Sequence, residues 1–337
     1  MKKRVFKILK PVLALVAAFL AANAICFAYE RPVGWIDTPN GASLAVRDPG
    51  TILVHGTEGY AVTRIDSFGY TNRDLPLAER YVLMMGASHS QGKEISVEKR
   101  YSSIVNDALC GGDAKELRAF NIACDGHFLP TIVKQFRAAV STYPNADCVT
   151  IEIGTTDYAI SDLEDALEQT DAELIGAKEL FAAQPAKAKL RTFVKNSFPL
   201  LSMILSKIET AKQGSSESSP SAFDAEAYRT AVGNCLRLIR SEYDGPIVIV
   251  YHPGMVMENG DFAVRPDETA GLFAEECKNA GIVFLSLERE FDALYRSEHL
   301  LPYGFSNTSP GKGHLNENGH AAIAKVLLDY LREEGLA

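Results

Sequence analysis

Five short apolar runs punctuate this chain, at residues 81–85, 117–123, 148–153, 247–251 and 282–285, and helical patterns fill most of the intervals between them. The runs are β-branched or aromatic and nearly continuous, as strands covered on both faces must be. A half-solvated strand would alternate apolar and polar residues instead. In the intervals, Ile132, Val133, Phe136 and Val140 share one helical face, and Pro130 suits a first turn. Ser161 with Glu164 resembles a capping box. In the last segment Ile323, Val326, Leu327, Tyr330 and Leu331 form one stripe, with Asn316 a candidate N-cap. Strand–helix alternation of this kind predicts an α/β fold built on a mostly parallel sheet with right-handed crossovers.

Two stretches break the rhythm. The interval between the third and fourth runs is too long for a bare connection, so a helical insertion is expected over about 160–222. It contains an apolar stretch at 193–208 and a Ser-rich segment at 214–221 that reads as a hinge, followed by a helix over 225–243. A lid shaping a substrate pocket and a packed helical layer both fit this pattern. Before the first run, residues 29–78 are rich in Gly, Pro, Asp and Thr. Short β-like pieces at 42–46, 51–54 and 60–65 and a turn at 69–72 suggest a small β-rich extension.

At the N-terminus, Lys2, Lys3, Arg4, Lys7 and Lys10 precede an apolar stretch over 11–28 that only Asn23 interrupts. Basic residues followed by an apolar segment form an export signal or a single membrane anchor. Small residues at 22–24 and 26–28 suit cleavage, and the length also suits anchoring. Either way the positive end stays inside and the rest of the chain lies outside the cytoplasm, free or held on the outer face of the membrane. The net charge of −9 and the lack of a basic stripe beyond the first residues argue against nucleic acid as a partner. Ile25 stands where lipidation of Cys26 would need a small residue. The other cysteines, at 110, 124, 148, 235 and 277, lack the spacing of a disulfide framework or a zinc site. No metal or organic cofactor is called for, and nothing in the sequence indicates an oligomeric state.

Ligands of an open parallel sheet bind beyond the carboxyl ends of its strands, near the point where strand order reverses. Ser88 follows the first strand, Gly126 the second, Thr156 and Asp157 the third, His252 the fourth, and His314 lies in the loop after the fifth. A serine hydroxyl is a weak nucleophile until a neighbouring base takes its proton, so Ser88 and His314 are the pair of interest. His89, Asp157 and His252 are candidates for the pocket wall. His320 fits a helical face better than a metal site. Gly86-Ala87-Ser88-His89-Ser90 departs from a nucleophile elbow at its last residue, and too little strand precedes it for an α/β-hydrolase.

Gly86-Ala87-Ser88-His89-Ser90-Gln91-Gly92 resembles the first block of the SGNH, or GDSL-type, hydrolases. Asn121-Ile122-Ala123-Cys124-Asp125-Gly126 resembles the second block, Gly154-Thr155-Thr156-Asp157 the third, and Gly311-Lys312-Gly313-His314-Leu315-Asn316 the last. The blocks come in the family's order and span residues 79 to 335. The resemblance implies a flavodoxin-like three-layer fold over 79–337, Ser88 as nucleophile and His314 as general base and acid. It also implies an oxyanion hole from the Ser88 and Gly126 N–H groups with help from Thr156. Ala87 replaces the first block's aspartate and Thr156 the third block's asparagine. Gly311 stands where the family has the aspartate that orients the histidine, so a backbone carbonyl or another acid, with Asp157 one candidate, must serve.

The function so implied is an exported serine esterase that removes O-acyl groups of acetyl type from a carbohydrate, an envelope polymer or a small ester, through an acyl-enzyme. An O-acyltransferase using the same serine and a catalytically silent binding protein are the alternatives.

Overall fold

A computed structural model describes residues 2–36, 46–73, 78–110, 117–168, 184–204 and 223–337. At its centre is a five-stranded sheet of β5 (Arg80–Met85), β6 (Leu117–Asn121), β7 (Ala146–Ile153), β8 (Ile247–Tyr251) and β11 (Val283–Ser286). The spatial order is β11-β8-β7-β5-β6, and every pairing is parallel. The chain leaves β5 toward β6 on one side and returns to β7 on the other, so strand order reverses between β5 and β7.

Side chains alternate along the strands and both faces are buried, which is why the runs look continuous in the sequence. Tyr81, Leu83, Met85, Val149, Ile151 and Ile249 meet the helices Leu129–Thr142, Ala225–Ser241 and Ala270–Asn279. Val82, Met84, Cys148, Val248 and Val250 face the helices Tyr101–Cys110, Glu288–Glu298 and Glu317–Glu333. This is the three-layer α/β fold expected. Each fully buried Phe, Leu or Ile in these layers contributes roughly 1.5–3 kcal/mol of transfer free energy. Asn316 caps the last helix, accepting from the N–H groups of Asn318 and Gly319.

Several local expectations shift. Ser161 is no cap: the helix Ile160–Ala166 begins one residue earlier, and the N–H groups of Asp162 and Leu163 donate to the carbonyl of Ala159. Of the insertion, the helix Ala186–Ser197 and the helical residues 199–204 are described, whereas the Ser-rich segment at 214–221 lies outside the described residues. The sequence reading also passed over a hairpin between β8 and β11. In it β9 (Gly254–Glu258) pairs antiparallel with β10 (Asp261–Arg265).

The entry segment contains two short antiparallel pairs, β1 (Trp35–Ile36) with β2 (Val46–Arg47) and β3 (Ile52–His55) with β4 (Ala61–Arg64). Most of the piece expected at 42–46 lies outside the described residues. Arg100 ties this segment to the main body, donating to the carbonyls of Thr71 and Gly92 and to the Thr63 hydroxyl from a fully buried position. Within the first helix, Lys2–Tyr29, the span Leu9–Tyr29 has a mean hydropathy of 2.2 and is 6% buried. Among the described residues it is the one helix long and apolar enough to cross a membrane.

Candidate active site

β5 ends at Met85, and Gly86 and Ala87 turn the chain into the short helix Ser88–Gln91. A side chain at Gly86 would collide with Ser90 and the Glu152 carboxylate, so this step needs a glycine. Glu152 projects from β7 beneath the turn. Its Oε2 accepts the backbone N–H groups of Ala87 and Ser90 at 3.1 and 3.2 Å, and its Oε1 accepts from His252 Nε2 at 2.7 Å. Both side chains of the Glu152–His252 pair are 1% exposed. Burial opposes ionisation of Glu152, but the hydrogen bond and charge of His252 outweigh it and bring the carboxyl down to about 2. The turn that carries Ser88 is therefore hung from a buried anion by its own backbone.

Ser88 and His314 are brought together. Ser88 Oγ lies 2.9 Å from His314 Nε2, although the two residues are 226 positions apart. On the other side of the ring, Nδ1 is 2.6 Å from Glu58 Oε2, while the His314 backbone N–H donates to Glu58 Oε1, also at 2.6 Å. With carboxylate acceptors facing Nδ1, the proton of the neutral ring belongs there, which leaves the Nε2 lone pair for the Ser88 hydroxyl. The side chains of His314 and Glu58 are 26% and 18% exposed, so solvent and substrate can reach the pair.

Glu58 comes from the loop joining β3 to β4. Asn307 pins that loop, accepting from the Gly59 N–H and donating to the carbonyls of Gly56 and Gly59. Glu30 accepts from the N–H groups of Gly56 and Thr57. Gly313 has φ +85, a region that favours glycine, and a side chain there would strike the Glu58 carboxylate. The carboxylate that meets His314 Nδ1 thus comes from the entry segment, 256 positions away from the histidine. Sequence reasoning missed it, and its one signal was negative: Gly311 left His314 without an acid nearby.

Gly126 lies in the loop after β6, at φ +77 and exposed to solvent. The Cys124 N–H donates to the Gly86 carbonyl at 3.1 Å, which sets this loop beside the turn that carries Ser88. Lys93 holds Asp125 at 2.7 Å. Among the described residues no acceptor faces the Gly126 N–H. The Ser88 N–H, first in its helix, has no intrahelical acceptor either.

Other expected site residues lie elsewhere. Thr156 is fully buried and its N–H donates to Asp267 at 2.5 Å. Thr269 gives its hydroxyl proton to Asp157 at 2.5 Å, so the Thr156 hydroxyl, 2.8 Å from Thr269 Oγ1, is the donor of that contact. With its single proton committed, Thr156 has none for an oxyanion, which corrects the expectation. Asp157 does not orient His314, because it is occupied with Thr269. It lines an open cavity of about 440 Å³ with Phe128, Lys134, Thr155, Tyr158 and Asp162. His252 is buried, with Nδ1 2.8 Å from the Tyr303 hydroxyl. His89 packs between the two other histidines, its ring centre 5.0 Å from that of His314 and 4.6 Å from that of His252. Its Nδ1 accepts the Leu315 N–H, and burial, reinforced by the neighbouring His252, keeps its pKa well below the ordinary histidine value. His320 is buried under the turn, where Nδ1 accepts the Tyr101 N–H. No group of side chains able to hold a metal occurs among the described residues.

No family model matches the chain, and no curated protein does. Among solved structures, a two-domain esterase active on acetylated mannans is 13% identical with a TM-score of 0.42, the match covering 75% of this chain and 49% of that one. The chain thus spans about half the length of that esterase. The acetyl xylan esterase AlAXEase is 11% identical with a TM-score of 0.43 over 74% of this chain and 99% of that one. The psychrotrophic esterase EstA from Pseudoalteromonas sp. is 10% identical with a TM-score of 0.40, covering 75% and 97%.

Proposed function

We propose that the chain is an SGNH-like serine esterase acting outside the cytoplasm, with Ser88 as nucleophile, His314 as general base and acid, and Glu58 as the orienting carboxylate. The observation that carries this reading is the unbroken contact from Glu58 through both ring nitrogens of His314 to the Ser88 hydroxyl, at 2.6 and 2.9 Å. In the forward step Ser88 Oγ bonds to the ester carbonyl carbon as its proton passes to His314 Nε2. Glu58 faces the resulting imidazolium at Nδ1. The carbonyl oxygen, now negative, takes hydrogen bonds from the N–H groups of Ser88 and Gly126. Each such donor is worth about 10²–10³ in rate. The imidazolium then protonates the departing alcohol as its C–O bond breaks. Water, deprotonated by the same nitrogen, releases the acid and restores Ser88.

The substrate class proposed is an O-acetyl-type ester on a carbohydrate or cell-envelope polymer. The proposed organisation is a hydrolase unit over 79–337 and an extension over 29–78 that supplies Glu58. Residues 1–28 form the export signal or anchor. A silent binding protein is disfavoured, because Glu58 now faces the nitrogen that the absent last-block aspartate left unserved. Turnover of 4-nitrophenyl acetate and labelling by a fluorophosphonate test the reading, with Ser88→Ala and His314→Ala alongside. Equal rates in the three proteins, or no labelling of the unaltered chain, would reject it.

A further inference from the structure

A second carboxylate stands behind the same histidine. Glu94 follows the turn that carries Ser88, and its side chain is 1% exposed. Neither of its oxygens has a hydrogen-bond partner among the described residues. Two imidazoles flank it: Glu94 Oε1 is 3.6 Å from His314 Nδ1 and 3.9 Å from His55 Nε2. The other nitrogen of His55 already faces Glu30 at 3.2 Å. Lys93, Arg47 and Arg100 add positive charge around the carboxyl. Burial still pushes its pKa up, against the pull of His314, Lys93 and His55.

A buried carboxylate without a donor is a rare and costly feature, and it calls for a partner in reach. Of the two imidazoles, that of His314 is the nearer, at 3.6 Å against 3.9 Å for His55. Nδ1 would have to close roughly 0.7 Å to reach the ordinary N–H···O separation of about 2.9 Å. The two acids have separate supports. Glu58 is brought by the entry segment and is partly exposed, whereas Glu94 is fixed within the main body next to the turn. When the Ser88 proton arrives at Nε2, the positive ring has one acid in contact and the other a short way behind it, in a medium where charges act strongly.

We propose that Glu94 is a second positioning carboxylate for His314, which takes the Nδ1–H when Glu58 is withdrawn and strengthens the stabilisation of the imidazolium when both are present. The proposal rests on the esterase reading and deepens it. Its test uses the full chain and two readouts. The first is the hydrogen-bonded ring proton of His314, a far-downfield proton resonance at low temperature, identified by its loss in His314→Ala. In Glu58→Ala the signal persists at a shifted position, and in Glu58→Ala/Glu94→Leu it disappears.

The second readout is turnover of 4-nitrophenyl acetate. Glu58→Ala loses about 10–10²-fold and Glu94→Leu less than about tenfold. The double variant loses about 10⁴-fold, the scale expected when a catalytic histidine has no orienting acid. The double loss thus exceeds the product of the single ones. Glu94→Gln keeps the volume and removes the charge, and it replaces Glu94→Leu if that protein does not fold. A ring proton lost in Glu58→Ala alone, or a double variant equal to the product of the singles, overturns the proposal. A ring proton that survives Glu58→Ala in a chain without turnover rejects the esterase reading and leaves the second carboxylate standing. Turnover abolished by Ser88→Ala, with the ring proton lost in Glu58→Ala, does the reverse.

Discussion

Two histidine–glutamate pairs flank His89 and have nearly the same contact length. His314 meets Glu58 at 2.6 Å, and His252 meets Glu152 at 2.7 Å. The first pair is 26% and 18% exposed and offers its free ring nitrogen to a serine hydroxyl. The second is 1% exposed on both sides and offers its other nitrogen to the Tyr303 hydroxyl. Hydrogen-bond length does not separate a reactive pair from a structural one. Solvent access and the group on the far nitrogen do. His89 lies between the pairs and is kept neutral by burial and by His252, so it spaces the two centres without adding a charge.

The comparison breaks first at the exposed pair. Ser88→Ala removes the proposed nucleophile, and turnover should fall by about 10⁶, the loss measured when a catalytic serine is deleted. The melting temperature should hold, since among the described residues the Ser88 hydroxyl bonds to the His314 side chain alone. A protein that keeps its turnover would make the exposed pair as structural as the buried one.

The opposite result is expected at the buried pair. Glu152→Gln leaves His252 and the Ala87 and Ser90 N–H groups without their anion, and breaking a buried ionic pair costs about 3–5 kcal/mol. Urea or thermal unfolding measures it. The pH dependence should change as well. Glu152 falls from its ordinary 4.5 to about 2 in the folded chain. Its contribution is therefore complete above about 4.5 and is lost as pH falls toward 2, and Glu152→Gln should flatten the stability curve in that window.

What the sequence reveals follows the same division. The strands were legible because burial on both faces leaves continuous apolar runs, and β8 falls where its run does. The meeting of Ser88 with His314 was foreshadowed because strand ends and glycine turns leave local signals. Glu58 left none, since it reaches the site through a contact 256 residues long, from a segment whose composition suggests only turns. Glu152 did leave one that went unused: a charged residue inside a strand buried on both faces requires a partner. The β9–β10 hairpin also announced itself, in Asn259-Gly260, where both residues take positive φ.

A smaller effect separates burial from pairing. His320 is buried without a carboxylate, and burial, with the nearby Arg100, lowers its pKa to about 3. Between about 3 and 6.5 the unfolded chain binds a proton that the native histidine refuses, so acidification across that window destabilises the fold. His320→Gln keeps an acceptor for the Tyr101 N–H and should lessen this slope, the buried His89 supplying the remainder. The loss in the unaltered chain should begin near pH 6.5, well above the onset that Glu152 sets. A stability curve level from pH 7 down to 4.5 would show His320 to be protonated in the fold.

The smallest effect is the sharpest control on the comparison. Arg73 and Asp107 form a bidentate pair at 2.5 and 3.0 Å, geometry as good as that of either histidine pair, but their side chains are 29% and 53% exposed. In water each partner is well solvated alone, and holding two flexible side chains together costs entropy. Asp107→Asn should therefore change stability by less than about 1 kcal/mol, and salt should weaken even that. Set beside Glu152→Gln in the same unfolding experiment, it holds distance nearly constant and varies burial. If Asp107→Asn were as costly as Glu152→Gln, distance would govern these pairs after all, and the contrast between the exposed and buried histidines would lose its physical basis.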